Sequence, residues 1–301
     1  MTRRDLPATV DIREVGPRDG LQLEAPLPLQ DRLAILKALA KTGLRRIEAT
    51  AFVSPKAVPA HSDAELLADE LERWPHVEFS ALVASVGGAR RAVGCGVANL
   101  EYVISVSEGH SQANVRRRTA DATADIAEIA QLVHQAGGQL EAILATSWDC
   151  PFDGRTPIER TVEVAQRAVA LGADRICLAD TIGTATPLRV TSLIHAVREA
   201  IPDTEIAVHF HNTRGSGLAC SLAAVQAGVT QLDASVGGLG GCPFAPGASG
   251  NIATEELIYM LEESGVHTGV DLDTVLTAAA LVERAVGHQL QSNLFRATVQ
   301  T

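Results

Sequence analysis

The chain has 301 residues and is 46% hydrophobic but only 3% aromatic, enough for a sizeable core built from Ala, Val, Leu and Ile. Its formal net charge of −11 argues against non-specific binding to nucleic acid or to an anionic membrane surface. Cys95, Cys150, Cys177, Cys220 and Cys242 match neither a disulfide framework nor a CxxC zinc pair. With no apolar run of spanning length and no secretory leader, a soluble protein of the reducing cytoplasm is expected.

Apolar and helical segments alternate along the chain. A β-like run over 10–15 leads to an amphipathic helix over 29–43, stopped by Gly43. Runs over 46–52 and 78–84 follow, with helices over 63–74 and, more weakly, 86–96. The strands predicted over 101–107, 140–147 and 175–180 are followed by helices over 121–137, 157–172 and 187–201. Strands over 205–211 and 231–237 precede helices over 216–228 and 253–265, and several of these helices end in Gly, as a helix stop prefers.

Eight βα units of this length predict an α/β fold, a TIM (β/α)8 barrel. It would occupy one domain spanning 1–301, with one additional C-terminal helix over 271–287. An open doubly wound sheet is the alternative, but no GxGxxG follows the first strand.

The barrel makes a demand: reactive groups should gather at the C-terminal ends of the strands. Arg18 and Asp19 follow the first strand, Glu48 lies in the second, and Glu108 and His110 follow the fourth. Asp180 ends the sixth, and His209 and His211 end the seventh. A loop with six glycines, 237–251, follows the eighth and carries Cys242 and Asn251. Taken singly, each has a plain reading. GPRDG is a turn, an HxH strand is as often packing as chemistry, Asp180 is a helix cap, and a glycine-rich loop is a flexible connection. Their convergence on one predicted end of one barrel favours a site.

In a strand, residues two apart share a face, so His209 and His211 emerge together. With Asp19 they suit Mn²⁺, Fe²⁺, Co²⁺ or Zn²⁺, whereas Mg²⁺ prefers more oxygen, and Asn251 could add an amide oxygen. Cys242, in a loop able to close over the mouth, could move a proton.

The stretches EVGPRDGLQ (14–22), IEATAFVSPKAVP (47–59), LADTIGTATP (178–187) and SVGGLGGCPFAPGASGNIATEELIYML (235–261) resemble 3-hydroxy-3-methylglutaryl-CoA lyases. That family belongs to the metal-dependent aldolase-type TIM barrels. The resemblance implies a retro-Claisen cleavage of the thioester to acetyl-CoA and acetoacetate. It implies a divalent cation, Mg²⁺ or Mn²⁺ ahead of Zn²⁺ or Co²⁺, on Asp19, His209, His211 and Asn251. Arg18 would stabilise the enolate, Glu48 would orient Arg18, and Cys242 or His209 would supply a proton. Asp180 is a further catalytic candidate. Asn114 and the basic run from Arg116 to Arg118 are the candidates for contacting coenzyme A. A homodimer is the expected assembly.

Three departures bear on the acyl group rather than on the reaction class. The family's HDTYG reads HNTRG here, so Asn212 replaces a carboxylate and Arg214 brings a guanidinium toward the metal. Leu23 stands where a polar residue is common, and Trp148 is expected to narrow the acyl pocket. An aldolase or Claisen synthase of the larger group is the competing enzyme. A non-catalytic barrel is the competing non-enzyme.

Overall fold

The computed structural model describes residues 6–241 and 250–299. Eight parallel strands close into a barrel. They are β1 (Asp11–Glu14), β2 (Arg46–Phe52), β3 (Glu78–Val83), β4 (Asn99–Ser105), β5 (Leu140–Ala145), β6 (Arg175–Asp180), β7 (Glu205–Phe210) and β8 (Gln231–Ala234). Each pairs with its sequence neighbours, and β8 closes on β1 with Asp11 opposite Gln231. The fold is the predicted TIM barrel.

The helices around it are α1 (Leu29–Leu39), α2 (Ala64–Ala68), α3 (Val86–Gly94), α4 (Glu108–Val115), α5 (Thr119–Ala124) and α6 (Ile126–Gln135). They continue as α7 (Ile158–Ala170), α8 (Pro187–Ala200), α9 (Gly217–Gln226), α10 (Thr254–Glu263), α11 (Leu272–Val286) and α12 (Asn293–Val299).

Several details depart from expectation. The helix expected over 63–74 is one short α-helix followed by a separate 3-10 turn, Leu71–Arg73. The long helix predicted after β4 is two helices that meet at Asp125. Two helices, α11 and α12, follow α10 where one was expected. No helix among the described residues is long and apolar enough to cross a membrane.

Strand periodicity sorts the side chains into two layers. On β7, Ile206, Val208 and Phe210 join the core between barrel and helices, while Ala207 belongs to a second cluster. The same alternation puts Leu100, Tyr102 and Ile104 of β4, and Leu140, Ala142 and Leu144 of β5, in the outer core. Inside the barrel, buried Arg13, Glu48, Glu101, Glu141 and Asp233 form a polar middle layer. In β2 a register irregularity between Glu48 and Thr50 inserts one residue. Ala51 can therefore join the inner cluster although it lies three residues beyond inward-facing Glu48.

A candidate metal centre at the barrel mouth

Strand ends and two loops bring the predicted cation set together. Asp19 directly precedes a 3-10 turn, Gly20–Leu23, that follows β1. His209 ends the inner row of β7 and His211 lies just beyond it. Their Nε2 atoms stand 4.0 and 3.9 Å from Asp19 Oδ2. Two donors each about 2.1 Å from one ion are at most about 4.2 Å apart, so the three residues suit a single cation. They are the group of three or more His, Cys, Asp or Glu found close enough for this among the described residues.

Asn251 enters from the far end of the glycine-rich loop through a β-bridge to His211. Its Nδ2 donates to Asp19 Oδ2 at 2.7 Å, and its Oδ1 is buried with no hydrogen-bond partner. A buried acceptor left over beside three donors is what a cation would use.

Glycine is required where the two arms of this loop touch. A Cβ on Gly250 would lie 2.3 Å from the carbonyl carbon of Gly240, and Gly240 itself has φ of 128°. Glu14 ties the same loop to β1. Its Oε1 accepts from Gly16 N at 2.7 Å and Val236 N at 2.8 Å, and its Oε2 accepts from Thr254 Oγ1 at 2.7 Å.

The electrostatics favour a charged ligand. Burial alone would raise the Asp19 carboxyl, but Arg18, His211 and His209 outweigh it and hold it well below the usual carboxylate range. Arg18 donates from Nε to Glu48 Oε2 at 2.7 Å and from Nη1 to Asp19 Oδ1 at 2.6 Å. Arg18 also lines the cavity. Desolvation, which would lower its pKa, is outweighed by Glu48 and Asp19, so the guanidinium keeps its charge.

Three buried residues that sequence reasoning did not single out support this set. Asp233 pairs in register with His209 across β7 and β8, and its Oδ2 lies 3.1 Å from His209 Nδ1. Arg13 donates to both Asp233 oxygens at 2.8 Å and reaches Glu101 and Glu141 at 2.7 Å each. His61 bonds Arg18 O through Nε2 at 2.9 Å. A signal for two of them existed: Arg13 and Asp233 are charges placed inside apolar strands, which β7 and β8 bring level with His209.

Asp180 is less central than expected. Its carboxylate accepts from Thr184 N at 3.0 Å and Ala185 N at 2.9 Å, so it holds its own loop. Glu108 is exposed and accepts from Thr119 N at 3.1 Å. His110 is buried against Ser105 Oγ at 2.7 Å and lines the cavity, as does Asn114. Arg116 is exposed at the left-handed end of α4, with φ of 56°. Arg117 turns back to pair with Asp125, so the basic run is split rather than aimed together. Cys242 lies outside the described residues.

The three sequence departures resolve away from the metal. Arg214 donates to Ile182 O at 2.6 Å and Gly183 O at 3.3 Å, because its side chain leaves the strand end along the β6–α8 loop. Asn212 Oδ1 accepts from Gly217 N at 3.1 Å, at the start of α9. Trp148 packs on Phe210, ring centroids 5.4 Å apart, and lines a separate cleft beside α7 and α8. It sits outside the inner layer because Phe210 points outward on β7. Leu23 is half exposed at the rim.

The chain matches the HMGL-like family model over residues 9–282. It is 38% identical over 287 residues to a hydroxymethylglutaryl-CoA lyase of Bacillus subtilis, covering 95% of this chain and 96% of that one. It is 36% identical over 292 residues to the (R)-citramalyl-CoA lyase of Chloroflexus aurantiacus, covering 93% and 92%. An HMG-CoA lyase from Acinetobacter baumannii, solved with coenzyme A and 3-methylmalate, aligns with a TM-score of 0.91 at 38% identity, covering 99% of this chain and 97% of that one. Barrel, mouth geometry and full-length similarity agree: the chain belongs to the HMGL-like family and is a carbon–carbon lyase.

Proposed function

We propose that the protein cleaves 3-hydroxy-3-methylglutaryl-CoA, or a thioester built on the same plan, into acetyl-CoA and a 3-oxo acid, acetoacetate in the parent case. The observation that carries this reading is Arg18 beside Asp19, with Nε2 of both histidines within 4.0 Å of the Asp19 carboxylate. Asp19, His209, His211 and Asn251 would hold a divalent cation, Mg²⁺ or Mn²⁺ first and Zn²⁺ or Co²⁺ next. Once bound, the cation would supply Lewis-acid polarisation of the substrate's C3 hydroxyl.

The chain's own groups do the rest. Arg18, fixed by Glu48, presents a non-titrating planar charge to the cavity, where the thioester oxygen gains negative charge as the C2–C3 bond breaks. Glu48 is a positioning residue. Asp233 holds His209 Nδ1 and leaves Nε2 facing the cavity. With Nδ1–H of His209 given to Asp233 and Nε2 turned toward Asp19, His209 would have no free nitrogen for the substrate once a cation is held there. Of the two proton donors that the resemblance allows, Cys242 or His209, this favours Cys242 for the enolate carbon. Asp180 shapes the β6–α8 loop beside His211. Asn114 and Arg116 remain the proposed contacts for coenzyme A, joined by cavity-lining Arg91. The expected setting is a cytoplasmic homodimer.

The test is release of acetyl-CoA and acetoacetate from HMG-CoA by protein given Mg²⁺ or Mn²⁺ and a thiol reductant. A chelator should abolish release. Turnover that survived full removal of the metal would overturn the reading.

A further inference from the structure

The mouth is divided. Asp19, His209, His211 and Arg18 occupy the side formed by β7 and β1. The opposite wall, from β3 to β6, presents Leu82, Val103, Ile143, Ala145 and Ala179 to a cavity of about 650 Å³. Beneath them Cys177 and Ala207 continue the same apolar cluster, which is separate from the outer core. The cationic side chains lining the cavity, among the described residues, are Arg18 and Arg91. Arg18 is paired with Glu48 and Asp19, and Arg91 is paired at the rim with Glu65, its Nε 2.7 Å away. The wall's own side chains, Leu82, Val103, Ile143, Ala145 and Ala179, carry no charge to meet a second charge on the substrate.

This wall begins beside His209. Ala179 pairs in register with His209, so the C3 substituent of a thioester held at Asp19 and the two histidines would meet Ala179 first. Adjacent strands are about 4.8 Å apart, which places the aliphatic positions of β5, β4 and β3 roughly 5, 10 and 14 Å further along the wall. A methyl group reaches only Ala179, whereas a longer chain also meets the β5 positions. Small side chains at Ala145 and Ala179 keep the path open.

We propose that this aliphatic wall selects 3-hydroxyglutaryl-CoA thioesters whose C3 carbon carries an alkyl chain longer than methyl. The inference rests on the lyase reading and names the substrate class of the same site. The reaction balances as before. The C3 hydroxyl loses its proton to a base, and the C2–C3 electron pair passes into the acetyl-CoA enolate. That enolate takes up one proton at C2, and the C3 fragment leaves as a 3-oxo acid bearing the alkyl chain.

The experiment uses 3-hydroxy-3-alkylglutaryl-CoA thioesters with methyl, propyl and pentyl groups on C3, and the full-length protein loaded with Mn²⁺. Each methylene buried on the wall should raise kcat/KM by up to about fourfold, so the pentyl-to-methyl ratio should stand well above one. Ile143→Ser and, as a second variant, Ala145→Ser should pull that ratio down. Dissociation constants for the same series are measured in parallel on the Arg18→Gln protein, which binds without turning over. Tightening with chain length supports the wall even if no thioester is cleaved, an outcome that would sink the lyase reading alone. A dissociation constant and a kcat/KM ratio that stay flat or worsen with chain length overturn the proposal.

Discussion

Replacing Asp233 by asparagine tests how the cation set is held. In the folded chain Asp233 accepts from Arg13 twice at 2.8 Å and faces His209 Nδ1 at 3.1 Å. Burial would raise its carboxyl, but Arg13 and His209 outweigh that and hold it ionised. An amide has the same shape but only one acceptor oxygen. If that oxygen stays on Arg13, an N–H points at the His209 N–H; if it turns to His209, an N–H points at the guanidinium. Arg13 keeps Glu101 and Glu141 at 2.7 Å each, so its charge is not abandoned. The stability cost is then that of one unsatisfied buried group, about 1–3 kcal/mol. Loss of a carboxylate behind a ligating histidine lowers metal affinity by about 10–100-fold. Urea denaturation of metal-free protein reads the first quantity and calorimetric Mn²⁺ titration the second. If the variant bound Mn²⁺ as tightly as the parent chain, Asp233 would not be what fixes His209.

Other outcomes follow from the same geometry. His211→Ala should abolish tight Mn²⁺ binding, while Cys242→Ala should keep the metal and lose most turnover; the reverse pattern, read by metal analysis and product release, would exchange their roles. Gly250→Ala should push apart the loop arms that meet at Gly240 and weaken metal binding through Asn251, with far-ultraviolet circular dichroism unchanged. Saturating Mn²⁺ at about 100 times its dissociation constant should add about 2.7 kcal/mol to the unfolding free energy, and a chelator should remove that gain. His61 and His110 are held down to about 3 and about 4, mainly by burial, against 6.5 in the unfolded chain. The unfolded chain therefore takes up protons first as pH falls below 6.5. Metal-free protein should lose up to about 1.4 kcal/mol per pH unit for each histidine, down to the folded values. His61→Gln and His110→Gln should flatten that slope in urea titrations between about pH 7 and pH 5.

The barrel was legible in the sequence because it rests on local physics. Strands with period two and helices with period near 3.6 alternate along the chain, and only a few architectures accept eight such units. The metal set was legible for a related reason. HxH on a strand fixes two imidazoles on one side, and Asp19 after the first strand must lie at the same end of a barrel. Helix boundaries were less legible, as at 63–74, where the same apolar spacing serves an α-helix and a following 3-10 turn.

What the tertiary structure alone decided is which groups face each other across the barrel. Arg13 and Asp233 are 220 positions apart in the chain, yet share two hydrogen bonds of 2.8 Å. His61 reaches the backbone of Arg18 from another loop. Conversely, Arg214 and Trp148 lie near the site in sequence but turn away from it, one along a loop and one into the outer layer. Periodicity says which face of its own element a side chain occupies. Closure of the sheet and the course of each loop set its neighbours, and those neighbours determine charge, hydrogen bonding and room for substrate.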